Sequence, residues 1–175
     1  EQSTSKNELE LNKLIASNNT LINENNQLTN KVNWYSDSFS DDIKLIETYN
    51  ELSQETKNSL NGIFKDNSAK GLIACGVQEK NIDNLWEYIK NQVVNSHNND
   101  IKNLLFIFQD LFARLVLAFP FYKLQSVSIN DEFENQLHIK HNTSQNVGGS
   151  IKEVLLIGYI NSRTDKVIKQ SIVKL

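Results

Sequence analysis

Leucine recurs at every seventh residue at Leu14, Leu21 and Leu28, and Tyr35 extends the row. That period keeps one narrow apolar seam facing a partner helix, so the first forty residues read as a single polar helix whose d row this is. Three residues ahead of each stand Leu11, Asn18, Asn25 and Val32, a companion a row that is apolar at its ends and amide-bearing in its middle. A seam Asn hydrogen-bonds to its own copy across a two-fold, whereas an antiparallel or slipped pairing strands it. The pattern predicts a parallel homodimer held by Leu11, Leu14, Asn18, Leu21, Asn25, Leu28 and Val32. The competing reading is a solvated helix whose leucine stripe packs on its own chain.

Beyond Tyr35 the stretch Ser36 to Asp42 crowds capping residues together, which predicts a kink or a new helix start. Ile43, Ile46, Tyr49, Leu52 and Leu60 then resume an apolar stripe. The segment from Asp66 to Glu79, with Gly71 and Gly76 around a short apolar piece, reads as a connector. Asn81 is the expected cap of a helix carrying Ile82, Leu85, Trp86, Ile89 and Val93. His97 to Asp100 closes that helix and caps the next, from Ile101 to Phe119, whose broad apolar face makes it the core helix. Pro120 stops it. From there helical spacing gives way to alternation, with strands expected at Leu124 to Ile129, Gln136 to His141, Ile151 to Tyr159 and Val167 to Leu175. Turns are expected at Asn142 to Ser150, read as a hairpin, and at Asn161 to Asp165. The fold class is therefore α+β: a coiled-coil dimerisation helix at 1–39, a helical bundle region at 40–119 and a small all-β domain at 120–175.

Composition narrows the function. The net charge of −3, without any Lys/Arg block, gives phosphates no electrostatic footprint, so nucleic acid is not an expected partner. No apolar run reaches membrane-spanning length uninterrupted; Leu104 to Phe121 contains Gln109, Asp110 and Arg114. One cysteine, Cys75, allows neither an internal disulfide nor a thiolate zinc site, and a reducing, cytoplasmic setting is the natural reading. The chain starts at Glu1 and lacks Met, which suggests a start downstream of the natural one. Its 25 asparagines favour caps and turns.

No chemistry-bearing constellation emerges. His138 and His141, three apart on a strand, point to opposite faces and cannot share a metal. Cys75 has no His or Lys near it in sequence and reads as a small buried hydrophobe. Asp41-Asp42 and Asp131-Glu132 are adjacent carboxylates that face apart, as caps or solvated charges do. Gly148-Gly149 lacks the Lys-Ser/Thr of a phosphate loop. The aromatic residues Phe106, Phe108, Phe112, Phe119, Phe121 and Tyr122 read as core. Neither an enzyme nor a cofactor is expected.

Three stretches at the C-terminal end resemble the GrpE-type nucleotide-exchange factors. Phe133-Glu134-Asn135-Gln136-Leu137-His138 is similar to that family's Phe-Asp-Pro-Asn-Leu-His. Gly149-Ser150-Ile151-Lys152-Glu153-Val154-Leu155-Leu156-Ile157-Gly158-Tyr159 resembles Gly-x-Val-x-Glu-Val-Leu-x-x-Gly-Tyr without a gap. Val167 to Leu175 is similar to the closing Val-Leu-Arg-Pro-Ala-Met-Val-x-Val. The departures are Asn135 for Pro, Lys169-Gln170 for Arg-Pro, a turn after Tyr159 about two residues longer, and no counterpart of the family's basic Asn-Leu-Arg-Arg-Arg stretch or its Leu-Leu-Pro-Val-x-Asp-x-Leu helix.

The resemblance implies a homodimeric co-chaperone of protein folding and the stress response. It implies that one β module grips the nucleotide-binding domain of a DnaK-type chaperone and opens its cleft for ADP release. It carries partner contacts over to Leu155 and Leu175, with Val173 on the same face as Leu175 by alternation; the competing reading of all three is inward-facing core. Gly158 is expected at a bulge or close backbone approach with Tyr159 packed beside it, and Phe133 is expected to anchor the module to the helices. The alternative is a dimeric coiled-coil scaffold or adaptor with a protein-binding β tip and no exchange activity.

Overall fold

The computed structural model describes residues 2–95 and 98–175, with side chains of the first helix from residue 6 onward. Among these are five helices, α1 (Gln2–Glu51), α2 (Gln54–Leu60), α3 (Ala69–Gly76), α4 (Glu79–Asn95) and α5 (Ile101–Ala118). Six short strands complete the set: β1 (Tyr122–Leu124), β2 (His138–Lys140), β3 (Glu153–Leu156), β4 (Tyr159–Asn161), β5 (Lys166–Lys169) and β6 (Ser171–Lys174). The chain is α+β and divides into two compact units, Glu1–Ile43 and Lys44–Leu175.

The first unit is helix throughout its described length. Helical geometry breaks once, at Phe39 (φ −125°, ψ 16°), inside the Ser36 to Asp42 stretch where capping residues compete for the backbone. Every predicted seam residue, Leu11, Leu14, Asn18, Leu21, Asn25, Leu28 and Val32, is exposed on this single chain.

The second unit begins in the last turns of α1, where Leu45 and Tyr49 enter the core. The stripe through Leu60 is not one helix: α1 stops at Glu51, and the Ser53 hydroxyl accepts the Thr56 N–H at 3.2 Å to start α2. The expected connector at Asp66 to Glu79 is largely helical as well. Ser68 caps α3 by accepting the Gly71 N–H at 3.1 Å, and Leu72 is fully buried. Gly76 passes so close to Leu111 of α5 that a Cβ would collide with that side chain, so this glycine permits packing where the sequence suggests a turn. α4 starts two residues before Asn81, whose side chain instead donates to the Cys75 carbonyl at 3.1 Å. Its buried face is Ile82, Leu85, Trp86 and Ile89, as the spacing predicts. The proposed closing role of His97 lies outside the described residues. Asp100 precedes α5 but makes no side-chain cap; its carboxylate takes the Ser53 N–H and hydroxyl instead, at 2.9 and 2.6 Å.

The strands form two three-stranded sheets. One is antiparallel, in the order β1-β4-β5; the other has the order β2-β6-β3, with β2 parallel and β3 antiparallel to the central β6. The expected strands Ile151 to Tyr159 and Val167 to Leu175 are each cut in two, and each half serves a different sheet. Leu124 to Ile129 is strand only at Leu124. The turn from Asn161 to Asp165 does join neighbours, β4 and β5, with Asp165 at φ 52°. The Asn142 to Ser150 loop does not make a hairpin, because β6 lies between β2 and β3.

One apolar core runs through α1, α4, α5 and the sheet residues Leu156, Tyr159 and Ile172, so the segments 40–119 and 120–175 share it. A second, smaller cluster of Ile151, Val173 and Leu175, backed by Val127, Phe133 and Val154, closes the other face of the β6 sheet. That sheet is covered on both sides.

Candidate functional site

Each of the three segments that resemble the exchange factors contributes to one sheet, and the last two also run into β4 and β5 of the other. Phe133 to His138 leads into β2, Glu153 to Leu156 is β3 and Ser171 to Lys174 is β6. At the β3–β6 junction Val154 pairs with Val173 but Leu156 pairs with Ile172, so Leu155 is an extra residue on β3. Such a bulge turns two successive side chains to the same face. Val154 backs the small cluster, while both Leu155 and Leu156 lie on the side of the helical core. Leu156 is buried there and Leu155 is half-buried.

Leu155 lines a cleft of about 270 Å³ together with Val93, Ile101, Leu105, His141 and Val154, and the ion-paired Glu153 and Lys174 (2.7 Å) stand at it. His141 is fixed there. Its Nε2 lies 3.1 Å from the Val93 carbonyl, and its Nδ1 accepts from the Thr143 N–H. Asn142 donates to the Val94 carbonyl at 3.2 Å, so two loop side chains cap the end of α4. The cleft offers a small apolar recess with a mixed-charge edge, which suits an apolar side chain of a protein partner.

Of the three residues assigned to partner contact, only Leu155 reaches a surface. Val173 is fully buried and Leu175 is 6% exposed, packed with Ile151. Their assignment as contacts is corrected: alternation puts them on one face, as expected, but that face is interior. Phe133 packs in the same small cluster and lies 6.0 Å from the His138 ring, so it anchors the β6 sheet rather than the helices. Gly158 is a close approach. A Cβ there would strike the Lys169 carbonyl, the Gln170 backbone and Oε1 of Gln125.

His138 and His141 are both buried, and among the described residues no group of three or more His, Cys, Asp or Glu is placed to hold an ion. Nδ1 of His138 accepts the Glu134 N–H at 3.1 Å. Burial holds its pKa below the ordinary histidine value, against the opposing pull of Glu134 and Asp131.

The densest titratable cluster ties α4 to the β4–β5 hairpin. Lys169 reaches Asp83 and Glu87, each at 2.8 Å, with its ammonium 5.5 Å from the Trp86 ring. Burial opposes its charge, but the two carboxylates outweigh that and raise its pKa. The Tyr159 hydroxyl donates to Asp83 at 3.0 Å, Trp86 Nε1 donates to the Ile157 carbonyl at 3.0 Å, and Tyr122 donates to Glu79 at 2.7 Å. Burial and then Glu79 push the Tyr122 phenol up to about 12. These contacts fix the hairpin to the helix, a role that sequence spacing does not reveal because the partners lie more than forty residues apart. Cys75 is partly buried against the core. No helix among the described residues is long and apolar enough to cross a membrane.

No protein-family model, no curated protein and no solved structure matches the chain.

Proposed function

We propose that the protein is a GrpE-type nucleotide-exchange factor that binds the nucleotide-binding domain of a DnaK-type chaperone and speeds ADP release. The observation that carries this reading is that the three sequence stretches meet at the β2-β6-β3 sheet: Gly149 to Tyr159 contains β3, Val167 to Leu175 contains β6, and Phe133 to His138 leads into β2, of which His138 is the first residue. A half-buried leucine on a bulge of that sheet is the contact residue. The mechanism is thermodynamic. A factor that binds the open chaperone more tightly than the closed, nucleotide-filled form shifts it toward opening, and nucleotide weakens the factor's grip by the same ratio. In this reading α1 pairs with a second copy through Leu11, Leu14, Asn18, Leu21, Asn25, Leu28 and Val32, and no cofactor takes part.

Stopped-flow release of fluorescent ADP from the DnaK-type chaperone of the same cell tests the proposal. Accelerated release by the full chain, abolished in Leu155→Asp with unchanged circular dichroism, is the expected result. An unaltered off-rate leaves a dimeric scaffold with a protein-binding tip. The mass in solution tests the pairing separately.

A further inference from the structure

Trp34, Tyr35 and Phe39 form a continuous strip of exposed rings on α1. They are 61%, 57% and 47% exposed, with Trp34 and Tyr35 edge to face at 5.0 Å and Tyr35 stacked toward Phe39 at 6.4 Å. The leucine row separates these rings by role. With Leu28 and Tyr35 at d, Phe39 falls at a, on the seam, but Trp34 falls at c and Asp37 at f, both on the side facing away from a paired helix. The largest apolar side chain of this unit therefore stays exposed even when the helix is paired. Tyr35 and Phe39 lie on the seam side, so the ring left free for a further contact is the Trp34 indole.

Charge says what kind of contact. From Val32 to Ile43 the chain carries Asp37, Asp41 and Asp42 and no Lys or Arg. Asp37 lies one turn from Trp34 on the same face, and Asp41 follows beyond the Phe39 break; both are exposed. The nearest cation is Lys31, one turn before the indole. An aromatic face flanked by carboxylates attracts a cation over the ring and pairs its charge at the edge, and tryptophan is the strongest ring for this contact.

We propose that the Trp34 face of α1 docks a cationic, arginine-bearing segment of a partner protein, with a guanidinium on the indole and its charge met by Asp37 one turn away. This proposal does not depend on exchange activity.

Calorimetric titration of the full chain with acetylated octa-arginine, and with octa-glutamate as the control, tests it. The expected result is binding of octa-arginine alone, weakened about tenfold in Trp34→Ala and similarly in Asp37→Asn. It should be retained in Trp34→Phe better than in Trp34→Ala and be unchanged in Glu55→Gln, a carboxylate outside this unit. Absence of binding, equal affinity in Trp34→Ala, or equal losses in Asp37→Asn and Glu55→Gln would overturn the proposal. So would a lower solution mass of Trp34→Ala, which would assign the indole to a second copy instead.

Discussion

Ser171 aims both of its donors at Oε1 of Gln125, its hydroxyl at 2.6 Å and its backbone N–H at 2.8 Å, the latter shared with the Leu137 carbonyl at 3.1 Å. Ser171 is fully buried where the chain leaves β5 in one sheet and enters β6 in the other. The same hydroxyl accepts the Gly158 N–H at 2.8 Å, while Nε2 of Gln125 donates to the Leu137 carbonyl at 3.2 Å. One side chain thus links the ends of β1, β2 and β6, and it gives the buried serine hydroxyl its acceptor at the switch between sheets. Gln125→Leu strands the serine hydroxyl and should cost about 2 kcal/mol. The urea midpoint should fall without a change in slope; an unmoved midpoint would show that the network is dispensable.

Two glycines ten residues apart should respond in opposite ways. Gly158→Ala drives a methyl group into the Lys169 carbonyl and the Gln170 backbone, which cannot move without breaking the sheet junction, whereas Gly148→Ala meets nothing within 4 Å. The first should lower stability by about 2 kcal/mol or more and the second by less than about 0.5. Comparable melting temperatures for the two variants would contradict the close approach.

The depressed pKa of His138 makes stability depend on pH in one direction. The unfolded chain takes up the proton more readily than the folded one, because burial of the ring penalises its charged form. The contribution of His138 is therefore complete above the ordinary histidine value of about 6.5 and is lost as pH falls through the lower, folded value. Denaturation between neutral pH and pH 5 should show this decline in the parent chain, and it should be flatter in His138→Gln. Equal slopes would place the proton elsewhere.

Val173 and Leu155 should separate folding from binding. Val173→Ala removes two methyl groups from a fully buried site and should cost about 2 kcal/mol. Leu155→Ala, half-buried at the cleft, should cost less than half of that. A greater loss for Leu155→Ala than for Val173→Ala in chemical denaturation would make Leu155 the core residue.

Asn18 and Asn25 test the proposed pairing of α1. Replacing both with Val should stabilise the assembly and remove its preference for one register and one copy number, because the amides sacrifice apolar contact to gain specificity. Sedimentation should show a single dimeric species for the parent chain and a mixture for the double variant. A monomeric parent chain would remove the pairing.

The leucine row, the Ser/Asp break near Phe39 and the apolar face of α5 ended by Pro120 are all legible because each is a local pattern, repeated over several turns and backed by a cap or a breaker. The buried face of α4 is legible for the same reason. α3 is not, because a helix of eight residues with a glycine at Gly71 and another at Gly76 looks like a turn until Leu111 is seen occupying the space beside Gly76. Alternation between Ile151 and Tyr159, and again from Val167 to Leu175, announces extended chain, yet period two carries no record of which sheet each half joins. Hydrogen bonds from distant residues decide that, with Gln125 and Ser171 at the switch. Nor does alternation say which face is wet. Val173 and Leu175 share a face as their spacing requires, but Ile151, Val127 and Phe133 cover it, while the single extra residue at Leu155 turns that side chain toward the cleft beside α4 and α5. Short-range periodicity in the sequence determined the long helices, their buried faces and the extended stretches; tertiary packing decided the short helix α3, the sheet each strand joins and which face of those strands is buried, because these depend on neighbours that lie far away along the chain.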